Sequence, residues 1–532
     1  MSAPPPLDRT DRLLAAALFL YAGTLLAVMA AGGAGLTQDD GYYYFKIAQN
    51  LAAGRGSTFD GLHGTNGYHP LWLLVVGALF ALQPDPGRAL VAGNALLAAL
   101  GALAVAAVYL AARLTLGRAG ALAAALLWLG FTYTVALAGV EFPLHALLVV
   151  LVAFVFLRGR GSLTPRSALA LGLLLALSCL ARLDCAALAA ILGAAALWRT
   201  RGRGPVPWLL LAPTAAALLA YAAVNAHLFG LPFPVSGAVK RSWSAYLLHH
   251  DPLYARGGWL LAKAWMLRPW QRGGGTPLWA LLAGALGVPL LAALPLRRGP
   301  APLSWVRASV LVPWRPFVIF AALQFVAYLV LYHSYHAFTR WYYVAQPLLA
   351  ALVAGAVLDW LWRAEGAARG ARRALVITLC AAAALATTRA TLRMRAQQVR
   401  VRQEGPLYRA AHWTGAHLPP EARIGTWNAG IIGYLSQRQV VNLDGLVNTR
   451  SFFEREQYDL CGYWERTGIG YVVDVFEKGS SAAIQGTAWP VTATYAGCAD
   501  RLQLVWTDGT PEEPGWPKAY RLLPRAPEGA HP

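Results

Sequence analysis

The sequence predicts a many-helix membrane protein with a C-terminal α/β domain outside the bilayer, and three observations lead there. Of its 532 residues, 57% are hydrophobic and only 13% charged, with a mean hydropathy of +0.45. Soluble domains carry about 25% charged residues. Long Ala/Leu/Val stretches approach the roughly 20 apolar residues that a helix needs to cross a bilayer. Arginine-rich connections separate these stretches, and after about residue 400 the apolar runs stop.

Candidate spans lie near 13–33, 89–112, 119–139, 143–157, 168–181, 185–198, 207–228, 277–295, 316–334, 343–362 and 373–389, about 11 in all. The N-terminus lacks a cleavage site of the signal-peptide type, so Leu13–Gly33 reads as a retained first span. Lys and Arg are retained in cytoplasmic loops. This places Arg158/Arg160/Arg166, Arg199/Arg201/Arg203, Arg297/Arg298/Arg307 and Arg363/Arg369/Arg372/Arg373 inside, with a cytoplasmic N-terminus. Glu141, Arg182, the 229–276 loop, Arg340 and everything after 389 then fall outside. The 34–70 loop joins them if Pro70–Leu82, about half a span long, is a juxtamembrane or re-entrant helix.

The C-terminal part changes character. Arg423–Trp427, Gln439–Leu443 and Gly470–Asp474 read as short strands separated by helical pieces. The expected division is a membrane domain over 1–395 and an outer α/β domain over 396–532. Cys461 and Cys498 share that second part, where export would allow a disulfide, although spacing does not establish the pair. The other three cysteines lie in apolar stretches and read as packing residues.

A net charge of +20 raises the question of nucleic acid. No basic run is interleaved with aromatics, and retention of Lys/Arg on one membrane face accounts for the sign. The expected partner is the lipid bilayer, not nucleic acid.

Chemistry concentrates in the first outer loop. Asp39 and Asp40 open an aromatic segment containing Tyr43, Tyr44 and Lys46, followed by Asn66, Tyr68 and His69. Two acids at a helix start are also what capping and the helix dipole favour. The density of polar groups that follows points instead to a sugar or phosphate site. Transfer of a sugar to a hydroxyl needs a base, which a carboxylate supplies, and a leaving phosphate needs cationic donors. Asp39 and Asp40 fit the first role; Lys46, Arg182, Lys240 and Arg340 fit the second. Tyr43, Tyr44, Asn66, Tyr68 and His69 suit sugar or acceptor contact, since aromatic faces stack on sugars. Glu141 joins the catalytic candidates as an ionisable group beside an apolar span. His333 and His336 lack a neighbouring acid, so no metal site and no cofactor is expected, with a divalent ion left open. Asp444, in an Asp-Gly pair, reads as a turn residue.

The run Asp39-Asp-Gly-Tyr-Tyr-Tyr-Phe-Lys-Ile-Ala-Gln-Asn50, followed by Thr65-Asn-Gly-Tyr-His-Pro-Leu-Trp72, resembles bacterial glycosyltransferases of the GT-C superfamily, within it the cell-wall arabinofuranosyltransferase branch. Gly139-Val-Glu-Phe-Pro143, Phe229-Gly-Leu-Pro-Phe-Pro234, Arg340-Trp-Tyr-Tyr343 and Asn442-Leu-Asp-Gly-Leu446 are weaker echoes along most of the chain. The resemblance implies the GT-C fold, a polyprenyl-phosphate sugar donor, an extracytoplasmic glycan or lipid acceptor, inversion at the sugar, and a bacterial inner-membrane location. It implies Asp39 as the base, with Asp40 orienting it or an acceptor hydroxyl. Arg182-Leu-Asp184 stands where that branch more often has Arg-Pro-Glu, which leaves Asp184 without an implied role. A carrier of lipid-linked sugars, using the same cations without a base, is the competing reading.

Overall fold

The computed structural model describes residues 5–31, 37–159, 163–250, 283–293, 301–332, 339–475, 496–509 and 516–524. Helix α1 (Arg9–Ala30) begins on a reciprocal cap in which Asp8 accepts the Asp11 N–H and Asp11 accepts the Asp8 N–H. Then come α2 (Asp39–Ala52), α3 (Pro70–Leu82), α4 (Pro86–Arg113), α5 (Arg118–Thr132), α6 (Phe142–Gly159), α7 (Pro165–Ala181), α8 (Ala186–Thr200), α9 (Val206–Phe229) and α10 (Val235–His250). After shorter helical pieces follow α11 (Arg315–Leu331), α12 (Ala345–Arg363) and α13 (Arg369–Glu404).

Among the described residues, seven helices are long and apolar enough to cross a membrane: α1, α4, α6, α8 with the preceding turn, α9, α12 and α13. An eighth is counted if Pro302–Leu311 and α11, bent by 85° at their junction, form one broken span. With the shorter apolar helices α5 and α7, these cover every expected span except 277–295, whose described part holds only two short helical pieces, Ala283–Gly287 and Val288–Ala293. Helix α3 is a short apolar helix of 13 residues.

One expected span is shorter than its hydropathy suggests. The stretch 119–139 stays helical only to Thr132, and Tyr133–Glu141 runs as buried irregular chain. Such backbone survives at membrane depth only when enclosed by protein. Here it has partners: Gln38 N–H donates to Ala138 O at 2.9 Å, and Trp72 Nε1 donates to Gly139 O at 2.9 Å. Gly139 has φ +83°, and a Cβ there would meet the Thr37 side chain at 2.5 Å. The irregular link therefore seats the start of α2 against the membrane helices.

Between spans, small residues let backbones approach. A Cβ on Gly120 of α5 would lie 2.6 Å from Gly355 O of α12, and one on Gly355 would lie 2.5 Å from Gly120 O. Buried Asp11 ties three helices together, accepting from Tyr109 at 3.0 Å, Arg113 at 2.8 Å and Arg118 at 3.2 Å.

Helix α13 runs unbroken from Arg369 to Glu404, so the boundary drawn at 395 falls inside a helix. Beyond it stand α14 (Pro406–His417), β1 (Arg423–Thr426), α15 (Ala429–Leu435), β2 (Gln439–Asn442), α16 (Leu460–Thr467), β3 (Tyr471–Val475), β4 (Leu502–Thr507) and β5 (Pro517–Leu522). The sheet order is β2-β1-β3-β5-β4, with β2, β1 and β3 parallel and β5 and β4 antiparallel. The three expected strands are present; β4 and β5 add an antiparallel edge that weak alternation in the sequence hid.

Cys461 of α16 and Cys498 form a disulfide, closing a loop over a separation of 37 residues. Such a bridge belongs to an oxidising compartment. The Cys461→Ser/Cys498→Ser variant is expected to lose roughly 2–4 kcal/mol from the stability of this domain, read as a lower denaturant midpoint by tryptophan fluorescence. An unchanged midpoint would mean that the bridge adds nothing.

Candidate active site between the first outer loop and the C-terminal domain

Helix α2 lies outside the candidate spans and packs on α3 on one side and α15 on the other. Its aromatic run explains this, because Phe45 meets Phe80 of α3 and Tyr434 of α15 edge-on at 6.4 and 5.9 Å. Tyr43 donates to Asp444 Oδ2 at 3.1 Å, and Tyr44 donates to Glu141 Oε2 at 3.0 Å. One helix thus joins the C-terminal domain to the mouth of the membrane bundle.

The two adjacent acids part company. Asp39 turns to the C-terminal domain, where its carboxylate accepts the Ile431 N–H at 2.7 Å and the Gly430 N–H at 3.3 Å. Asp40 instead lines a cavity of about 390 Å³, is one-third exposed, and lies 3.8 Å from Lys240 Nζ. Successive residues at a helix start point about 100° apart, which is the whole reason for the split.

The cavity collects groups from five separate segments. Tyr43, Tyr44, Tyr68 and His69 come from the first outer loop, Glu141 from the α5–α6 link, Arg182 and Asp184 from the α7–α8 break, Lys240 from α10, and Tyr328 from α11. Arg182 has extended backbone that ends α7, so its guanidinium leaves the helix line and enters the cavity. There it donates to Glu141 at 2.5 Å and Tyr328 at 2.9 Å, contacts Asp184 at 3.4 Å, and lies 4.5 Å over the Tyr342 ring. Lys240 donates to the Tyr342 hydroxyl at 2.9 Å. Two buried polar atoms on the cavity wall, Asp184 Oδ1 and His69 Nδ1, have no hydrogen-bond partner among the described residues. Buried polar atoms are normally satisfied, so two unpaired ones in residues of one cavity wall set this place apart.

The other expected site residues divide. Asn66 does not line the cavity; it is buried, donates to Phe233 O at 3.1 Å and accepts the Val235 N–H at 3.0 Å, which pins the start of α10 and so places Lys240. Lys46 is buried within α2, away from the cavity. The Arg340 side chain and residues 333–338, with both histidines, lie outside the described set, as does 251–276 of the outer loop. The sequence reading missed Tyr328, Tyr332, Gln324 and the active placement of Asp184. Tyr328 and Tyr332, four residues apart on one face of a span, were the available signal; their rings stack at 5.6 Å. No cluster of three or more His/Cys/Asp/Glu capable of holding a metal occurs among the described residues.

Burial pushes the Asp39 carboxyl up to about 7, against the two amide donors and helped by Asp40 and Asp474. Burial likewise pushes Asp444 up to about 7. A carboxyl raised in the folded state adds stability that is complete below its unfolded value near 4 and is lost as pH rises through about 7. The α2–α15 contact is therefore expected to loosen between pH 5 and pH 8. Hydrogen exchange at Gly430 and Ile431, corrected for intrinsic rate, should show lower protection at pH 8, with a flatter profile in Asp39→Asn. Equal protection at both pH values in the unmodified protein would contradict this.

The fold is that of GT-C proteins. ArnT from Cupriavidus metallidurans, in its crystal structure bound to undecaprenyl phosphate, matches with a TM-score of 0.55 at 13% identity, over 94% of this chain and 97% of that one. Its apo structure matches with a TM-score of 0.52. The Archaeoglobus fulgidus oligosaccharyltransferase tethered to an acceptor peptide matches at 0.51, with 14% identity over 96% of this chain and 74% of that one. Residues 390–522 match a family model described as Domain of unknown function (DUF8728). No curated protein matches the chain by sequence.

Proposed function

We propose that the protein is a glycosyltransferase that moves a sugar from a polyprenyl phosphate to a hydroxyl of a cell-envelope glycan or lipid outside the cytoplasmic membrane. The observation that carries this reading is the single cavity in which a part-exposed carboxylate, Asp40, faces the cation Lys240 at 3.8 Å, with unpaired Asp184 Oδ1 on the wall. The undecaprenyl phosphate held by ArnT, a protein of the same fold, supports a polyprenyl-phosphate donor. The disulfide supports an exported C-terminal domain, and hence a site on the outer face. Arabinofuranose is the sugar suggested by the likeness of 39–72 to arabinofuranosyltransferases.

Asp40 takes the proton of the acceptor hydroxyl as that oxygen attacks the anomeric carbon from the face opposite the phosphate. The sugar–phosphate bond breaks, inverting the centre, and the lipid phosphate leaves with its charge met by Lys240. Arg182 is largely spent on Glu141 and Asp184, so it shapes the cavity and adds positive potential. Asp39 keeps α2 and the C-terminal domain in register. Tyr43 and Tyr44 line the cavity with their hydroxyls held by Asp444 and Glu141. Lys240→Met is expected to lower kcat by roughly 10²–10³-fold, the usual cost of losing one donor to a developing oxyanion; unchanged kcat would remove Lys240 from the phosphate site.

The test is transfer of labelled sugar from a panel of synthetic polyprenyl-phosphate sugars to membrane glycans by the purified full chain. Product from the unmodified protein identifies the donor. Donor binding without product across the panel would overturn the transferase reading in favour of a carrier.

A further inference from the structure

A second cavity, lined by other residues, is larger than the one holding Asp40. It measures about 2030 Å³, and its wall is built from α5, α8, α11, α12 and α13. Ordinary small-molecule pockets span roughly 300–1,000 Å³. The two cavities sit at opposite ends of the same helices. Asp184, just before α8, lines the smaller one and Arg199 at the end of α8 lines the larger. Helix α11 runs the other way, from Arg315 in the larger to Leu331 in the smaller. Helix α12 follows Tyr342 of the smaller and ends with Arg363 in the larger. The large cavity therefore opens on the face away from the C-terminal domain, the arginine-rich face.

The 85° bend between Pro302–Leu311 and α11 lies at this cavity, with Trp305, Val312 and Arg315 on its wall. The cavity's depth is apolar, with Leu122, Leu126, Ile191, Val376 and Ile377 on its wall, and in a bilayer such a space is filled by hydrocarbon. Its rim is cationic. Arg113 and Arg118 are already spent on Asp11 and Asp8, and Arg363 on Asp359. Arg199, Arg315 and Arg369 have no such carboxylate among the described residues, nor has Arg373, which lies over the Trp362 ring at 5.1 Å, and Trp305 Nε1 is buried without an acceptor among the described residues. Guanidinium groups without a counter-charge over an apolar gap match an anion attached to acyl chains. Basic pockets between spans on the cytoplasmic side take anionic lipid headgroups. Simple retention of arginine in loops does not account for their convergence on one apolar cavity.

We propose that this cavity is a binding site for an anionic glycerophospholipid of the inner leaflet. The headgroup phosphate sits among Arg199, Arg315 and Arg369, Trp305 Nε1 donates to a phosphate or ester oxygen, and the acyl chains lie against α5, α8 and α13. The site is separate from the donor site and does not depend on the transferase reading.

The test is native mass spectrometry of the purified full chain from micelles doped with equal phosphatidylglycerol and phosphatidylcholine. The unmodified protein is expected to retain phosphatidylglycerol at least tenfold in preference. Arg199→Gln/Arg315→Gln/Arg369→Gln should lose that preference, while Arg12→Gln/Arg166→Gln/Arg203→Gln, which removes equal charge from the same face outside the cavity, should keep it. As a second variant that keeps every arginine in place, Ala195→Phe/Ala381→Phe fills the apolar depth and should also release the lipid. No preference in the unmodified protein, an equal loss in the control triple variant, or full retention by the filled variant would each overturn the proposal.

Discussion

Replacing Asp40 with asparagine is expected to lower sugar transfer by about 10²–10⁴-fold, the span of a lost general base, while leaving fold and donor binding intact. Asp40 is one-third exposed to the cavity and its nearest charge is Lys240 at 3.8 Å, so its carboxylate is free to meet an incoming hydroxyl. Asp39, the base implied by family resemblance, has both carboxylate oxygens on the Gly430 and Ile431 amides. A base needs a lone pair directed at the proton it removes, and Asp39 directs its lone pairs into another domain. Asp39→Asn is therefore expected to cost less activity than Asp40→Asn and to appear first in the docking of α15. Labelled-sugar turnover of the two variants side by side decides it. A near-normal rate in Asp40→Asn with a dead Asp39→Asn would return the role to Asp39.

Arg182→Ala is expected to lose the folded protein, not merely its activity. Arg182 is 3% exposed and faces Glu141 at 2.5 Å and Asp184 at 3.4 Å. Its removal leaves the buried Glu141 and the partly buried Asp184 without a counter-charge, and breaking a buried pair on one side costs about 3–5 kcal/mol. Arg182→Lys should not restore the site. A single ammonium cannot reach Glu141, Asp184 and the Tyr328 hydroxyl together as the guanidinium fork does. The check is detergent-solubilised yield and size-exclusion profile, followed by thermal unfolding of whatever remains monodisperse. Combining Arg182→Ala with Glu141→Gln and Asp184→Asn should recover much of the lost stability without activity, because the stranded charges go with it. Wild-type stability in Arg182→Ala alone would mean that water reaches the carboxylates.

Much of this site was legible in advance because its parts are chemically conspicuous. A double acid after an apolar helix, an Arg at a helix break and a Lys after a Pro-rich stretch are rare in a chain with 13% charged residues. Tyr328 was hidden because a tyrosine in a span reads as packing until its hydroxyl is seen 2.5 Å from Asp184. Asn66 misled in the opposite direction. An amide in an outer loop suggests sugar contact, yet here it satisfies backbone groups at residues 233 and 235. Lys46 belonged to the same cluster in sequence but lies on the α2 face turned from the cavity.

The membrane class, the placing of most spans and the α/β tail all followed from composition and periodicity, which act locally and survive without knowledge of neighbours. Partner choice did not. Whether Asp39 or Asp40 faces the cavity, whether Asn66 binds ligand or backbone, and where a bent span meets a cavity on the far face depend on contacts between residues tens to hundreds of positions apart. Asp39 meets Ile431 across 392 positions and Tyr43 meets Asp444 across 401. A one-residue step rotates a side chain by about 100° around a helix, so adjacent and chemically identical acids acquire different work only once the chain has folded around them.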